Sequence, residues 1–175
     1  MNYATIKWYD IANGEGVRIS LFVSGCTHRC KNCFNEVAWD FSYGTPFDSE
    51  IEGKILKELD GDYIAGLSLL GGEPLEPQNQ EALYPFIKKV KELYPKKTIW
   101  CYTGCVFNEK KTLLTEKEKN MPFTKELLSL IDVLVDGPFI EDLKDIRLKF
   151  RGSSNQRVID MPKTLASGKI VLYLE

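Results

Sequence analysis

Arg18-Ile-Ser-Leu-Phe-Val-Ser24 runs directly into Gly25-Cys26-Thr-His-Arg-Cys30-Lys-Asn-Cys33. The first half is a short apolar run stopped by a glycine, which reads as a buried strand. The second half is a loop carrying three thiols. Outward from this pair the chain alternates strand and helix. Thr45 to Leu59 predicts a helix, with Thr45 as its cap, Pro46 in its first turn, and Ile51, Ile55, Leu56 and Leu59 on one face. Leu67 to Leu70 reads as a strand stopped by Gly71-Gly72. Asn79 to Tyr94 is the strongest amphipathic pattern, with Leu83, Phe86, Ile87, Val90 and Leu93 on one face and Pro85 near the first turn. A strand over Thr98 to Tyr102, a helix over Phe123 to Leu130 and a strand over Asp132 to Val135 follow. Arg157 to Ile159 and Ile170 to Leu174 read as late strands.

Such alternation argues for parallel βαβ units with right-handed crossovers. Sheets of that kind hold their ligands at the carboxyl ends of the strands. The unusual sequences fall at those ends: Gly25-Cys26, Gly71-Gly72-Glu73-Pro74, Thr103-Gly104 and Asp136-Gly137-Pro138. Their shared position argues that they form one site.

The chain has 175 residues, 43% of them hydrophobic and 27% charged, which predicts one soluble globular domain over residues 1–175. The formal net charge of −2 weighs against a general nucleic-acid binder. No apolar stretch approaches the ~20 residues needed to span a bilayer. Met1 to Asp10 has no basic segment followed by an apolar run, so no secretory signal is visible and the expected location is the cytoplasm. Phe107 to Pro122 reads as a solvated, charged segment. A basic stretch lies between Lys144 and Lys169. It is either a solvated face or a surface that steers a partner, an electron donor or a ligand carboxylate.

Five cysteines, an odd number, argue against a disulfide framework. Cys26, Cys30 and Cys33 form a Cys-x3-Cys-x2-Cys run. A [4Fe–4S] cluster normally takes four cysteines, so three would leave one iron open to a non-protein ligand. A structural zinc ion needs four protein ligands, and His28, inside the first loop, would be strained as the fourth. Free thiols are the third reading. Cys101 and Cys105 can bridge only through a turn at Thr103-Gly104. One buried thiol and one loop thiol is the expectation for them. His28, the only histidine, reads as an exposed loop residue. Arg18 reads as a support paired with Asp10 or Glu15, or as an aid to a cofactor.

At these residues the chain resembles the radical S-adenosylmethionine superfamily, marked by Cys-x3-Cys-x2-Cys and by a Gly-Gly-Glu turn at the end of the next parallel strand. The resemblance implies that Cys26, Cys30 and Cys33 hold a [4Fe–4S] cluster and that Gly71, Gly72 and Glu73 contact the amino group of S-adenosylmethionine. The aromatic residue usual before the third cysteine is replaced by Asn32, with Phe34 following the cysteine. Both are therefore candidates for the adenine contact. Thr103 is either a pocket residue or part of a tight turn. Asp136 either bonds the ribose hydroxyls or simply opens the turn at Gly137-Pro138.

Asp10, Gly14, Gly16, Arg18, Phe22, Gly25 and Asn35 resemble the glycyl-radical-enzyme activating family. Asp132-Val-Leu-Val-Asp136-Gly-Pro-Phe139 and Phe150-Arg-Gly-Ser-Ser-Asn-Gln-Arg157 resemble its anaerobic ribonucleotide reductase branch. The implied fold is α/β, an incomplete, open radical-SAM-type (β/α) barrel of about six parallel strands. The implied partners are the large subunit of an anaerobic ribonucleotide reductase and a low-potential electron donor such as flavodoxin. No side chain is assigned an acid–base part. A small radical enzyme acting on a free metabolite, and a non-enzymatic iron–sulfur carrier or zinc module, are the rival readings.

Overall fold

The computed structural model describes residues 1–108, 110, 113–114 and 121–174. In chain order the elements are β1 (Asn2–Asp10), β2 (Val17–Val23), β3 (Thr45–Pro46), α1 (Ser49–Leu59), β4 (Ile64–Gly71), α2 (Pro77–Leu93), β5 (Thr98–Tyr102), β6 (Val106–Phe107), β7 (Leu113–Leu114), α3 (Thr124–Leu130), β8 (Val133–Asp136), β9 (Arg157–Asp160), α4 (Met161–Ser167) and β10 (Leu172–Leu174). Most of the segment Phe107 to Pro122 lies outside the described residues.

Eight strands form one open sheet in the order β10-β9-β8-β5-β4-β2-β1-β3, and β6 pairs with β7 apart from it. Its centre, β2-β4-β5-β8, is parallel. The flanks are antiparallel: β1 against β2 and β3, and β9 against β8 and β10. The expectation of about six parallel strands is therefore corrected to four. The connections give the reason, because a parallel pair needs a crossover of a dozen or more residues, usually a helix. Residues 11–16 are too short for one, so β1 turns back on β2. Residues 137–156 contain only a single 3-10 turn, Glu141–Leu143, and β9 returns antiparallel. Between β9 and β10 the seven-residue α4 also leaves too little chain.

Alternation along the strands splits the interior into two faces. Ile19, Leu21 and Val23 of β2, Leu67 and Leu69 of β4 and Ile99 and Cys101 of β5 join Ile55 and Leu59 of α1 and Leu83, Phe86, Ile87 and Val90 of α2 in the main core. The opposite face carries Trp100, Val133, Val135 and Val158, with Tyr102 and Phe150 packed against them. Arg18 is buried on this second face. It donates to Ser68 Oγ (2.8 Å), the Leu67 carbonyl (2.9 Å), Thr98 Oγ1 (2.9 Å), the Thr98 carbonyl (2.7 Å) and the Glu15 carbonyl (3.1 Å), and lies over the Trp100 ring. It supports the fold, but through hydroxyls and carbonyls rather than the carboxylate of Asp10 or Glu15. Burial lowers its pKa to about 10.

Three local expectations also change. Thr45 and Pro46 pair with Tyr3 and Asn2, so α1 begins at Ser49 and Asp48 caps it, accepting from the Glu50 and Ile51 N–H groups. Pro85 lies inside α2 rather than near its start, and Leu93 at the helix end is exposed. β1 was not anticipated, although Thr5, Lys7 and Tyr9 face outward while Ile6 and Trp8 pack on the core, a period-two pattern.

Candidate functional site

The parallel centre of the sheet places four strand ends side by side. A cavity of about 380 Å³ lies across them. That is within the usual range for a small-molecule site. Cys26, Cys30 and Cys33 line it, as do Gly71, Gly72, Glu73, Thr103, Gly104 and Gly137. The shared position read from the sequence is thus a shared cavity.

The cysteine loop is held at both ends. Gly25 N–H donates to the Ala38 carbonyl (2.8 Å) and Cys26 N–H to the Trp39 carbonyl (3.2 Å), so the 3-10 turn Glu36–Trp39 straps the start of the loop. Gly72 N–H donates to the Val23 carbonyl (2.7 Å) and Glu73 N–H to the Gly25 carbonyl (2.8 Å). Gly71 occupies the left-handed side of backbone space at φ 107°, which favours glycine. A Cβ at Gly72 would stand 2.6 Å from the Gly25 oxygen, so the turn and the loop touch backbone to backbone.

All five cysteines are free thiols. The three of the loop are partly buried and share the cavity wall. Burial pushes the Cys26 thiol up, so it would release a proton on binding a metal. Among the described residues, one trio of His, Cys, Asp or Glu has its ligand atoms all within 4.8 Å, and it is His28, Glu73 and Cys105. Three thiols on one cavity wall suit an iron–sulfur cluster, which is held by cysteine thiolates.

Other residues land elsewhere than the sequence suggests. His28 is not an exposed loop residue: its Nε2 donates to Glu73 Oε2 (2.7 Å) and lies 3.6 Å from Cys105 Sγ. Hydrogen bonding to Cys105 and Glu73 pushes its pKa up to about 11. Glu73 is buried and already accepts from four chain donors, His28, Thr103 Oγ1, Gly104 N–H and Leu75 N–H. Thr103 lines the cavity with its hydroxyl committed to Glu73. Phe34 lies at the cavity and is 88% exposed. Asn32, exposed and left-handed at φ 57°, does not line the cavity.

Nor does Asp136. Its buried carboxylate receives the Arg157 guanidinium and the Phe107 N–H (2.8 Å). The expected loop thiol, Cys105, is buried like Cys101, and the two remain unbridged. Much of the basic stretch is neutralised locally, through Arg157 with Asp136, Lys163 with Asp160, and Arg147 with Asp145.

Sequence reasoning missed the floor and far wall of the cavity: Asn13, Trp39, Tyr102, Phe139, Leu148 and Arg151. For Tyr102 a signal existed, since it shares a strand face with Trp100. Its buried hydroxyl has no hydrogen-bond partner among the described residues.

Residues 12–159 match the family model described as a 4Fe-4S single cluster domain. The fold and its thiol-lined cavity therefore define an iron–sulfur α/β protein. The chain is 44% identical over 158 residues to the anaerobic ribonucleoside-triphosphate reductase-activating protein of Pasteurella multocida (strain Pm70), covering 89% of this chain and 95% of that one. It is 40% identical over 160 residues to the protein of that name in Escherichia coli (strain K12), covering 90% and 97%. The corresponding protein of Enterobacteria phage T4 is 38% identical over 158 residues, covering 90% and 93%. The chain belongs to the family of anaerobic ribonucleoside-triphosphate reductase-activating proteins.

Proposed function

We propose that the chain is a radical S-adenosylmethionine enzyme that generates a glycyl radical on the large subunit of an anaerobic ribonucleotide reductase. The observation that carries this reading is the meeting of three free thiols and the Gly71-Gly72-Glu73 turn on one cavity. Likeness to proteins named as reductase activators supplies the target. Cys26, Cys30 and Cys33 would hold the [4Fe–4S] cluster, and the open sheet would serve as the incomplete barrel around it, within a single domain over residues 1–175. Held there, the cluster would supply the single electron for reductive cleavage of S-adenosylmethionine, the chemistry by which a hydrogen atom would be removed from one glycine of the reductase.

The chain's own work is to bind, orient and exclude water. Gly71 and Gly72 let a ligand's amino group approach the backbone. Glu73 holds that turn in shape, because its carboxylate is committed to chain donors. Thr103 helps in the same way, through its hydroxyl on Glu73. Phe34 lines the cavity and would cover an adenine. Asn32 and Asp136 lie off the cavity wall, and Asp136 acts as a support through Arg157 and the Phe107 N–H. An open sheet leaves room for a glycine-bearing segment of a macromolecular partner. A low-potential donor such as flavodoxin would deliver the electron, in the cytoplasm.

The test combines the reduced, cluster-loaded protein, S-adenosylmethionine and the reductase large chain without oxygen. Electron paramagnetic resonance should show a doublet from the remaining α-hydrogen of a glycyl radical, collapsing when that glycine is deuterated at Cα. Formation of 5′-deoxyadenosine with no doublet on an active, cognate reductase would overturn the assignment of the target.

A further inference from the structure

We propose that His28 is a positioning residue which, together with Thr27, clasps the cysteine loop to the ends of β4 and β5, so that the three thiols are gathered on the cavity wall before iron arrives. The first tie is the Glu73 carboxylate. Its Oε2 accepts from His28 Nε2 (2.7 Å), Thr103 Oγ1 (3.0 Å) and Gly104 N–H (2.8 Å), and its Oε1 from Leu75 N–H (2.9 Å). The loop after β2, the turn after β4 and the turn after β5 thus meet on one buried group. The second tie is Thr27, whose N–H (2.8 Å) and Oγ1 (2.5 Å) both donate to Glu76 Oε1. Glu73 and Glu76 sit on one turn, so two adjacent loop residues grip it with separate side chains.

The fit between the parts is close. A Cβ at Gly104 would stand 2.7 Å from His28 Cδ2, which keeps that turn free of a side chain under the imidazole. Directly after His28, Arg29 adopts the left-handed region at φ 50° and changes the direction of the chain before Cys30. Ordering a loop costs backbone entropy. Here hydrogen bonds to two carboxylates meet that cost in the iron-free fold, so cluster binding need not do so.

The same atoms admit one other reading, a single-ion site of His28, Glu73 and Cys105. The geometry favours the clasp. Oε2 already accepts three donors, and its 2.7 Å separation from Nε2 is a hydrogen bond. Two ligands with ~2.0 Å bonds to a tetrahedral ion would stand ~3.3 Å apart. The clasp rests on the iron–sulfur part of the proposed function and on neither S-adenosylmethionine nor the reductase.

Hydrogen–deuterium exchange on the iron-free full chain tests it. His28→Ala should speed exchange about ten-fold in peptides covering residues 26–30 and 103–105, the scale set by losing one hydrogen bond to a charged group. Peptides from β2 and β4 should stay unchanged. His28→Gln, which keeps a side-chain N–H donor, should restore most of the protection. After anaerobic reconstitution, the visible absorption of the cluster should decay about ten-fold faster under chelator in His28→Ala and near the wild-type rate in His28→Gln. Should His28→Ala fail to fold, Thr27→Val keeps the His28–Glu73 bond and should still loosen residues 26–30. Wild-type exchange in either variant, or no rescue by His28→Gln, would overturn the clasp. So would stoichiometric zinc retained by a variant with Cys26, Cys30 and Cys33 all changed to Ala. A wild-type chain that takes up no cluster would count against the iron–sulfur reading, while exchange in the iron-free chain judges the clasp by itself.

Discussion

Cys26, Cys30 and Cys33 differ from Cys101 and Cys105 in where they lie, and that difference predicts their chemistry. The first three line the cavity, whereas Cys101 is wholly buried in the main core and Cys105 sits under His28. Changing any of the first three to Ala should abolish stable iron loading, measured as iron and acid-labile sulfide per chain. Cys101→Ala and Cys105→Ala should retain most of it. Asp10 offers a test of a different kind. Burial tends to raise its pKa, but the nearby Ser20 hydroxyl and the hydrogen bonds from Asn13 and the Ala12 N–H outweigh that and hold it below the ordinary carboxylate value. A carboxylate with a depressed folded-state pKa contributes stability above the unfolded pKa near ~4 and loses it as pH falls through the lower folded value. Asp10→Asn should therefore be less stable than wild type at pH 7, by about 2 kcal/mol. The gap should close below pH ~4, as read from urea midpoints across the range.

Between elements, the seam of β8 and β9 carries the most exacting electrostatics. Asp136 opposes Arg157 in the antiparallel register, and their side chains pair as well. Arg157 also donates to the Phe107 carbonyl (2.7 Å), and Asp136 accepts the Phe107 N–H, so β6 is tied to the same pair. Removing one partner leaves a buried charge without compensation. Arg157→Ala should cost about 3 kcal/mol in denaturant unfolding. Replacement by Lys should recover only part of this, because an ammonium cannot reproduce the guanidinium fork. The pair is a structural joint: it fixes the strand from which the Phe150–Arg157 segment returns to the cavity wall.

At the scale of the whole molecule, the cavity is walled by segments far apart in the chain, from Ala12 to Gln156. A cluster held only by the folded arrangement stabilises that arrangement by mass action. The cluster-loaded chain should unfold several degrees higher than the iron-free chain in anaerobic calorimetry. The cysteine variants should lose that difference and unfold like the iron-free wild type. An equal melting temperature with and without the cluster would mean that the cluster does not draw on the folded sheet.

How much could be read in advance depended on the range of the interactions. The helices α1 and α2 and the strands β2, β4, β5 and β8 were legible because burial imposes period and apolar run length locally. The shared site at Cys26, Gly71, Thr103 and Gly137 followed from them, since parallel strands align their carboxyl ends. The antiparallel flanks were not legible as such: Arg157 to Ile159 reads as a strand, but its direction depends on what joins it to β8. The parts of Asp136, Glu73 and His28 were likewise hidden. A carboxylate at a strand end reads as a ligand contact until the fold brings a partner to it, from 21 residues away for Asp136 and 45 for Glu73. Residue types and their order determined that thiols and glycines would meet at strand ends. Only the tertiary structure decided which polar groups there were left for a ligand, because hydrogen bonds between distant segments consume donors and acceptors that local sequence cannot pair.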